Sequence, residues 1–318
     1  MRVLYLGTPQ FATVPLRALL DGNYDVCGVF TQPDRPSGRG NRLHASPVKI
    51  LAEERGVRIF QPEKLRSEEN RAIVENLEPD VIVTVAYGQI VPPWMLRLSR
   101  LFPVNVHASL LPRWRGAAPI ARAILNGDAV SGVTTMVMEE SLDSGDVLLR
   151  EEVPIPVEAT EGEFAETLAE TGARLLLKTL EELESGGIVP APQDEALATW
   201  APKIRKDEST ISWEYTALEV HNRIRALNPQ PGASVDFRGE KINLWRSLPS
   251  DGAKNVSPGT LLGVTQNALR IACGGGTAID ILEMQRAGRK RTNGREFASG
   301  TRLKTGELIS DCEFRIAD

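Results

Sequence analysis

The chain has 318 residues, 42% hydrophobic and 25% charged, with a net charge of −5, which exceeds one typical domain of roughly 100–200 residues and excludes a chain dominated by disorder. No apolar run approaches the ~20 residues needed to cross a bilayer, and the opening MRVLYLGTPQ lacks the layout of a secretory leader, so a soluble cytoplasmic protein without membrane contact is expected. Three scattered cysteines (Cys27, Cys273, Cys312) and three histidines (His44, His107, His221) give neither a CxxC motif nor helical ligand spacing, so the thiols are expected to pack in the core and no metal site is expected.

In chain order, Val3 to Gly7 predicts a buried strand, followed by an apolar-periodic helix through Phe11, Val14, Leu16 and Leu20. A strand over Tyr24 to Thr31 precedes a long polar loop ending near Pro47. Then come a helix from Val48, a short strand to Phe60, a helix over 67–77, and DVIVTVAYG, whose unbroken apolar run suits a strand buried on both faces. Another strand ends at His107 and enters SLLPRWRGAAP, before a helix from Ile120, a strand from Gly132 and a leucine-periodic helix from Glu163 to Ser185. Strands alternating with helices predict an α/β, Rossmann-like, mostly parallel sheet over residues 1–189.

Residues 190–208 are rich in Pro, Ala and charge with no apolar period, which predicts a linker. Over 209–318, one helix from Ala217 and then short runs such as SVDFRG, KINLWRS and AIDILEMQR between glycine-rich turns predict a small β-barrel of OB-like type. From Arg205 onward there are 17 basic and 14 acidic residues, a net +3, against −8 before it. That asymmetry favours a polyanion contact on the second half.

The first strand's turn, Gly7-Thr8-Pro9, stands where dinucleotide-binding sheets hold a pyrophosphate, but Pro9 occupies the place of the second glycine and removes an amide donor. Asp34 lies where a ribose-binding acid could sit, and reads equally as a turn residue. Asn105 and His107, two apart on a strand, share a face. They read either as satisfied core polar groups or, at the carboxyl end of a parallel strand, as part of a ligand crevice. Leu142-Asp143-Ser144-Gly145-Asp146 offers carboxylates on a turn, a weak signal alone. An amide donor, an imidazole and a carboxylate together supply what acyl transfer to an amine needs. Asn105 can donate to the oxyanion, His107 can stabilise the same charge or shuttle a proton, and Asp143 can support the charged ring and accept protons.

The stretches NVHASLLPRWRGAAPI at 105–120 and GVTTMVMEESLDSGD at 132–146 closely resemble the formyl-transferring domain shared by enzymes that use 10-formyltetrahydrofolate. The resemblance covers essentially the first 200 residues and includes ATWAPKI at 198–204, with Ala108 and Ser144 where Gly and Thr are common. It implies Asn105, His107 and Asp143 as catalytic residues, 10-formyltetrahydrofolate as co-substrate, and a folate-side loop at Ser109, Leu110, Leu111 and Pro112.

Within that family, TQPDRPSGRGNRLHASPVK at 31–49 is similar to the insertion by which methionyl-tRNA formyltransferases engage the acceptor end, and 205–318 resembles their C-terminal domain, with Gln230 where Trp is frequent. This implies initiator methionyl-tRNA as partner, with the protein acting as a monomer. The basic side chains of Arg35, Arg39 and Arg42, with Lys49, suit a substrate-engaging arm, and without the resemblance they read as an ordinary solvated loop. The stretch from Arg286 to Lys304 adds Arg289, Lys290, Arg291, Arg295 and Arg302 against the single acid Glu296, and such a strip would contact phosphates. The alternatives are formyl transfer to a small amine such as an amino sugar nucleotide, a non-catalytic RNA-binding module, and, remotely, a nicotinamide oxidoreductase.

Overall fold

The apolar runs of the N-terminal half line up as strands of one seven-stranded sheet. The computed structural model describes residues 1–22, 24–37, 42–252 and 254–309, without the side chains of Ser37 and Arg42. In chain order the elements are β1 (Arg2–Gly7), α1 (Thr13–Asp21), β2 (Asp25–Phe30), β3 (Arg35–Ser37), β4 (Arg42–His44), α2 (Pro47–Glu54), β5 (Ile59–Phe60), α3 (Glu68–Leu77), β6 (Val81–Val85) and α4 (Pro93–Leu96). They continue with β7 (Val104–His107), β8 (Arg115–Gly116), α5 (Pro119–Asn126), β9 (Val130–Val137), β10 (Val147–Pro154), α6 (Glu161–Ser185) and β11 (Trp200–Ala201).

The large sheet runs β10-β9-β7-β6-β1-β2-β5. Its β5, β2, β1, β6 and β7 are parallel, while β9 and β10 close one side antiparallel. As the unbroken VIVTV run requires, β6 is buried along its whole length. Leu4, Leu6, Phe30, Leu65, Val74, Ile82 and Met95 form one of its cores, each such side chain contributing about 1.5–3 kcal/mol by burial. Because the chain leaves β1 toward β2 and later returns to β6 on β1's other side, the strand order reverses between β1 and β6. Ligand crevices of open parallel sheets form outside the carboxyl ends at such a reversal. Those ends are Gly7, Val85 and, one strand further, His107.

Two differences from the sequence reading have clear causes. Strand β10 was not expected, because Arg150, Glu151 and Glu152 interrupt its apolar run. It is an edge strand whose residues alternate toward solvent, where charges are tolerated and discourage further pairing. The polar loop after β2 contains the hairpin β3–β4, in register Arg35↔His44.

The chain divides into two compact units, Met1–Pro119 with Val130–Pro154 and Ala165–Pro202, and Ile120–Ala129 with Ile155–Phe164 and the chain from Lys203 on. The segment read as a linker is not structureless: Trp200–Ala201 is strand β11, paired in parallel with β8, and short helical turns form at Glu195–Leu197 and Lys206–Ser209. Backbone pairing, which no side-chain period announces, orders it. The second unit holds α7 (Ala217–Ala226), β12 (Ala233–Phe237), β13 (Glu240–Ser250), β14 (Leu261–Val264), β15 (Leu269–Cys273), β16 (Thr277–Arg286), β17 (Arg291–Asn293) and α8 (Gly294–Thr301). These strands form an antiparallel sheet, β12-β13-β16-β15-β14 with β17 on β16. Register breaks around Arg246 in β13 mark bulges, which bend a sheet. Helix α7, started by the reciprocal Thr216–Glu219 capping box, lays Val220, Ile224 and Leu227 into a core with Val235, Leu244, Ile271 and Ile281. Cys27 and Cys273 are buried, and Cys312 lies outside the described residues.

Candidate active site

Strand β7 carries two of the sequence candidates toward the carboxyl edge of the sheet. Asn105 stands opposite Thr84 of β6 and Met136 of β9, and His107 opposite Thr134. The Asn105 amide is half-buried and has no hydrogen-bond partner among the described residues, and the neighbouring Thr84 hydroxyl is buried without one. Buried polar groups are normally paired, so the Thr84 hydroxyl is a group that a polar ligand atom would satisfy.

His107 is buried, with Nε2 at 2.9 Å from the Trp114 carbonyl. A carbonyl only accepts, so Nε2 carries the hydrogen and Nδ1 is left toward Asp143. The Nδ1 to Asp143 Oδ2 distance is 3.8 Å, longer than a hydrogen bond. The same Oδ2 accepts the Gly116 N–H at 2.9 Å. Gly116 adopts φ +121, and a Cβ there would stand 2.8 Å from the Ala201 carbonyl oxygen, so only glycine brings that N–H to the carboxylate. The structure thus brings Asn105, His107 and Asp143 to one sheet edge.

The loop after β7 is held by the protein itself. Thr134 Oγ1 donates to the Ser109 carbonyl at 2.7 Å and accepts the Leu111 N–H at 3.1 Å, Ser109 Oγ donates to the Arg113 carbonyl at 2.6 Å, and Arg150 donates to the Leu111 carbonyl at 3.1 Å. Ser109 and Leu111 are buried in these contacts, leaving Leu110 and Pro112 as the half-buried members of the four. Ile90 and Leu142, on the loops after β6 and before Asp143, are exposed.

The candidate RNA contacts are placed less completely. Arg35 is exposed on β3, 3.4 Å from Gln32 Oε1; Arg39 lies outside the described residues, as does the side chain of Arg42 on β4. Lys49 is not a free member of the arm, since its Nζ pairs with Asp34 at 2.6 Å. That bond, first, and one from Gln61 hold the Asp34 carboxyl below its usual range, so Asp34 is a loop anchor. In the second unit Arg289 and Lys290 are exposed, while Arg291 pairs with Glu283 at 3.2 Å and lies 4.0 Å over the Trp245 ring. The strip also meets more acid than its own sequence contains, because β13 brings Glu240 to Arg286. Sequence reasoning missed Arg115, Gln193 and Thr199, which bond to the loops bearing the candidates. Arg115 lies within NVHASLLPRWRGAAPI and Thr199 within ATWAPKI, the stretches that carry the resemblance, while Gln193 lies in neither.

Residues 1–180 match the family described as formyl transferase, and residues 203–302 match the formyl transferase C-terminal domain. The chain belongs to the formyl transferase family. As expected for a formyl transferase, similar solved structures carry the same fold. The sugar 3N-formyl transferase WlaRD, solved in the presence of dTDP and 5-N-formyl-THF, is 17% identical with a TM-score of 0.68, over 91% of this chain and 99% of that one. An N-formyltransferase from Helicobacter canadensis, in complex with folinic acid and dTDP-3-aminofucose, is 17% identical with a TM-score of 0.68, over 89% and 98%. HypX from Aquifex aeolicus, in complex with tetrahydrofolic acid, is 21% identical with a TM-score of 0.63, over 96% of this chain and 48% of that one. Among the described residues of this formyl transferase, no helix is long and apolar enough to cross a membrane.

Proposed function

We propose that the chain transfers the formyl group of 10-formyltetrahydrofolate to the α-amino group of methionyl-tRNA, with Asn105, His107 and Asp143 at the reacting centre. The observation that carries the chemistry is the convergence of these three residues beside the strand-order reversal, with the Asn105 amide unpartnered. A formyl-folate suits the site, since the unpaired Asn105 and Thr84 groups call for polar ligand atoms, Leu110 and Pro112 are half-buried, and solved relatives were prepared with 5-N-formyl-THF or tetrahydrofolic acid. Asn105 donates a hydrogen bond to the oxyanion as it develops. As the amine forms its C–N bond its proton is taken up by the pair that His107 Nδ1, with Nε2–H fixed on Trp114, makes with Asp143, and a proton is returned to N10 of the folate as the C–N10 bond breaks and tetrahydrofolate leaves. An α-amino group titrates near ~7.7–8.0 and is partly neutral at cellular pH, so orientation and oxyanion stabilisation supply most of what the reaction requires.

The basic arm at 31–49, with Arg35, Arg39 and Arg42, and the C-terminal domain with exposed Arg289 and Lys290 support RNA as the acceptor's carrier. Among the solved relatives, the sugar N-formyltransferases favour a second reading over this one: transfer to an amino sugar nucleotide. At 17% identity that likeness is one of fold. Salt separates the two. Formylation of methionyl-tRNA at subsaturating RNA is expected to fall at least tenfold from 50 to 200 mM salt, as phosphate contacts are screened. Turnover of a dTDP-linked amino sugar, with methionyl-tRNA left unformylated, would establish the second reading instead.

A further inference from the structure

We propose that residues 191–201 are a working part of the reaction centre, in which Gln193 is a positioning residue for Asp143. The inference rests on the reading of Asp143 and His107 as the reacting pair. This stretch lies between the two regions that match the family, and its composition predicts a plain linker. It is instead stitched along both loops that carry the pair. Val147 and Ala191 exchange N–H···O bonds of 2.8 and 2.9 Å. Thr199 accepts the Trp114 N–H on its hydroxyl and the Arg115 N–H on its carbonyl, each at 2.9 Å. Trp114 supplies the carbonyl that fixes the His107 ring.

Gln193 makes the more specific contact. Its Nε2 donates to the carbonyls of Asp143 at 2.9 Å and Gly145 at 2.7 Å, bridging the turn from beneath. Its Oε1 accepts from Arg115 Nε at 3.1 Å and Nη2 at 2.9 Å. Arg115 is only 3% exposed, and its remaining edge is held by Glu195 at 2.9 and 2.7 Å. A neutral amide suits this place because one end must donate to two carbonyls while the other accepts from a guanidinium. A glutamate has no donor for the carbonyls, and a lysine would face Arg115 with like charge.

Asp143 needs such a latch, since its φ of +52 is a left-handed conformation that a residue other than glycine holds only where neighbours impose it. A Cβ at Gly145 would stand 2.0 Å from the Val137 carbonyl oxygen, so the turn also lies tight against β9. Without the two Gln193 bonds the turn is free to leave the left-handed conformation, and the carboxylate then moves off His107.

The test compares Gln193→Ala, Gln193→Glu, Asp143→Asn and the Gln193→Ala/Asp143→Asn double variant in the full chain. Methionyl-tRNA and a dTDP-linked amino sugar serve in parallel as acceptors. Both Gln193 variants are expected to lower kcat about 10–100-fold, the usual scale for a supporting shell, with the KM for 10-formyltetrahydrofolate within about twofold and an altered pH–kcat profile. In the Asp143→Asn background Gln193→Ala is expected to add less than about a twofold further loss, since coupled residues are non-additive. Wild-type kcat in Gln193→Glu, or full additivity in the double variant, overturns the positioning role while Asp143→Asn remains impaired. Wild-type kcat in Asp143→Asn overturns the reading of Asp143 itself. Hydrogen exchange over 141–147, which needs no acceptor, is expected to accelerate at least tenfold in Gln193→Ala; unchanged exchange overturns the latch whatever the assay gives.

Discussion

Asn105 and His107 were legible as a pair because strand periodicity alone puts residues two apart on one face, and the unpartnered Asn105 amide adds what no sequence contains. The same scale holds a contrast at the start of α6. Glu163 is drawn down to about 2, first by Arg246 and then by the Thr160 N–H, within a Thr160–Glu163 capping arrangement. Two residues earlier, Glu161 is raised to about 7 by burial alone. A carboxyl raised in the folded state binds its proton more tightly there than in the unfolded chain. Its favourable contribution is therefore complete below about pH 4.5, the unfolded value, and is lost as pH rises through about 7. Glu161→Gln is accordingly expected to raise Tm at pH 8 and to leave it unchanged near pH 4.5, with thermal melts at the two pH values as the check. Equal effects at both would assign the change to packing. His221 shows the opposite case: burial, against the bond to the Val157 carbonyl, lowers its pKa, so its ring, bonded also to Ser247, is a core group that favours the fold above about pH 6.5.

At the scale of elements, what the sequence made legible was what side-chain pattern dictates: the buried β6, the amphipathic α6 and the capped α7. Strand β10 and strand β11 escaped because an edge strand tolerates charge and a two-residue strand has no period to read. The strap over 191–201 is ordered by bonds to β8 and to the Asp143 turn, which depend on residues some 50 to 80 positions away. Hairpin β3–β4 places Arg35 and Arg42 in one ladder, and Arg39 lies outside the described residues. Arg39→Ala is expected to lower kcat/KM for methionyl-tRNA about tenfold, the loss of one charged contact worth roughly 1.4 kcal/mol, with tetrahydrofolate affinity unchanged by fluorescence titration. Normal formylation at moderate salt would return the arm to the status of a solvated surface.

For the molecule as a whole, family membership rests on matches over 1–180 and 203–302, and the strand patterns predict the mostly parallel sheet and a small β-barrel, the second observed as an antiparallel sheet. The acceptor is a different matter. Fold alone does not select it, because enzymes of one fold act on different substrates through grafted sites. The net charge of −5 hides a basic second half, yet several of its arginines are neutralised by acids from neighbouring strands, as Arg286 is by Glu240 and Arg270 by Asp280. Only a tertiary arrangement reveals which cations remain, Arg289 and Lys290 being exposed among them. The most direct test of the central claim is single-turnover formyl transfer from 10-formyltetrahydrofolate to methionyl-tRNA, comparing the wild-type chain with Asn105→Ala and His107→Ala at saturating protein. N-formylmethionyl-tRNA is expected from the wild type and a rate lower by about two to three decades in each variant, with RNA affinity unchanged. Wild-type rates in either variant, or no formylated methionyl-tRNA from the wild-type chain, would contradict it.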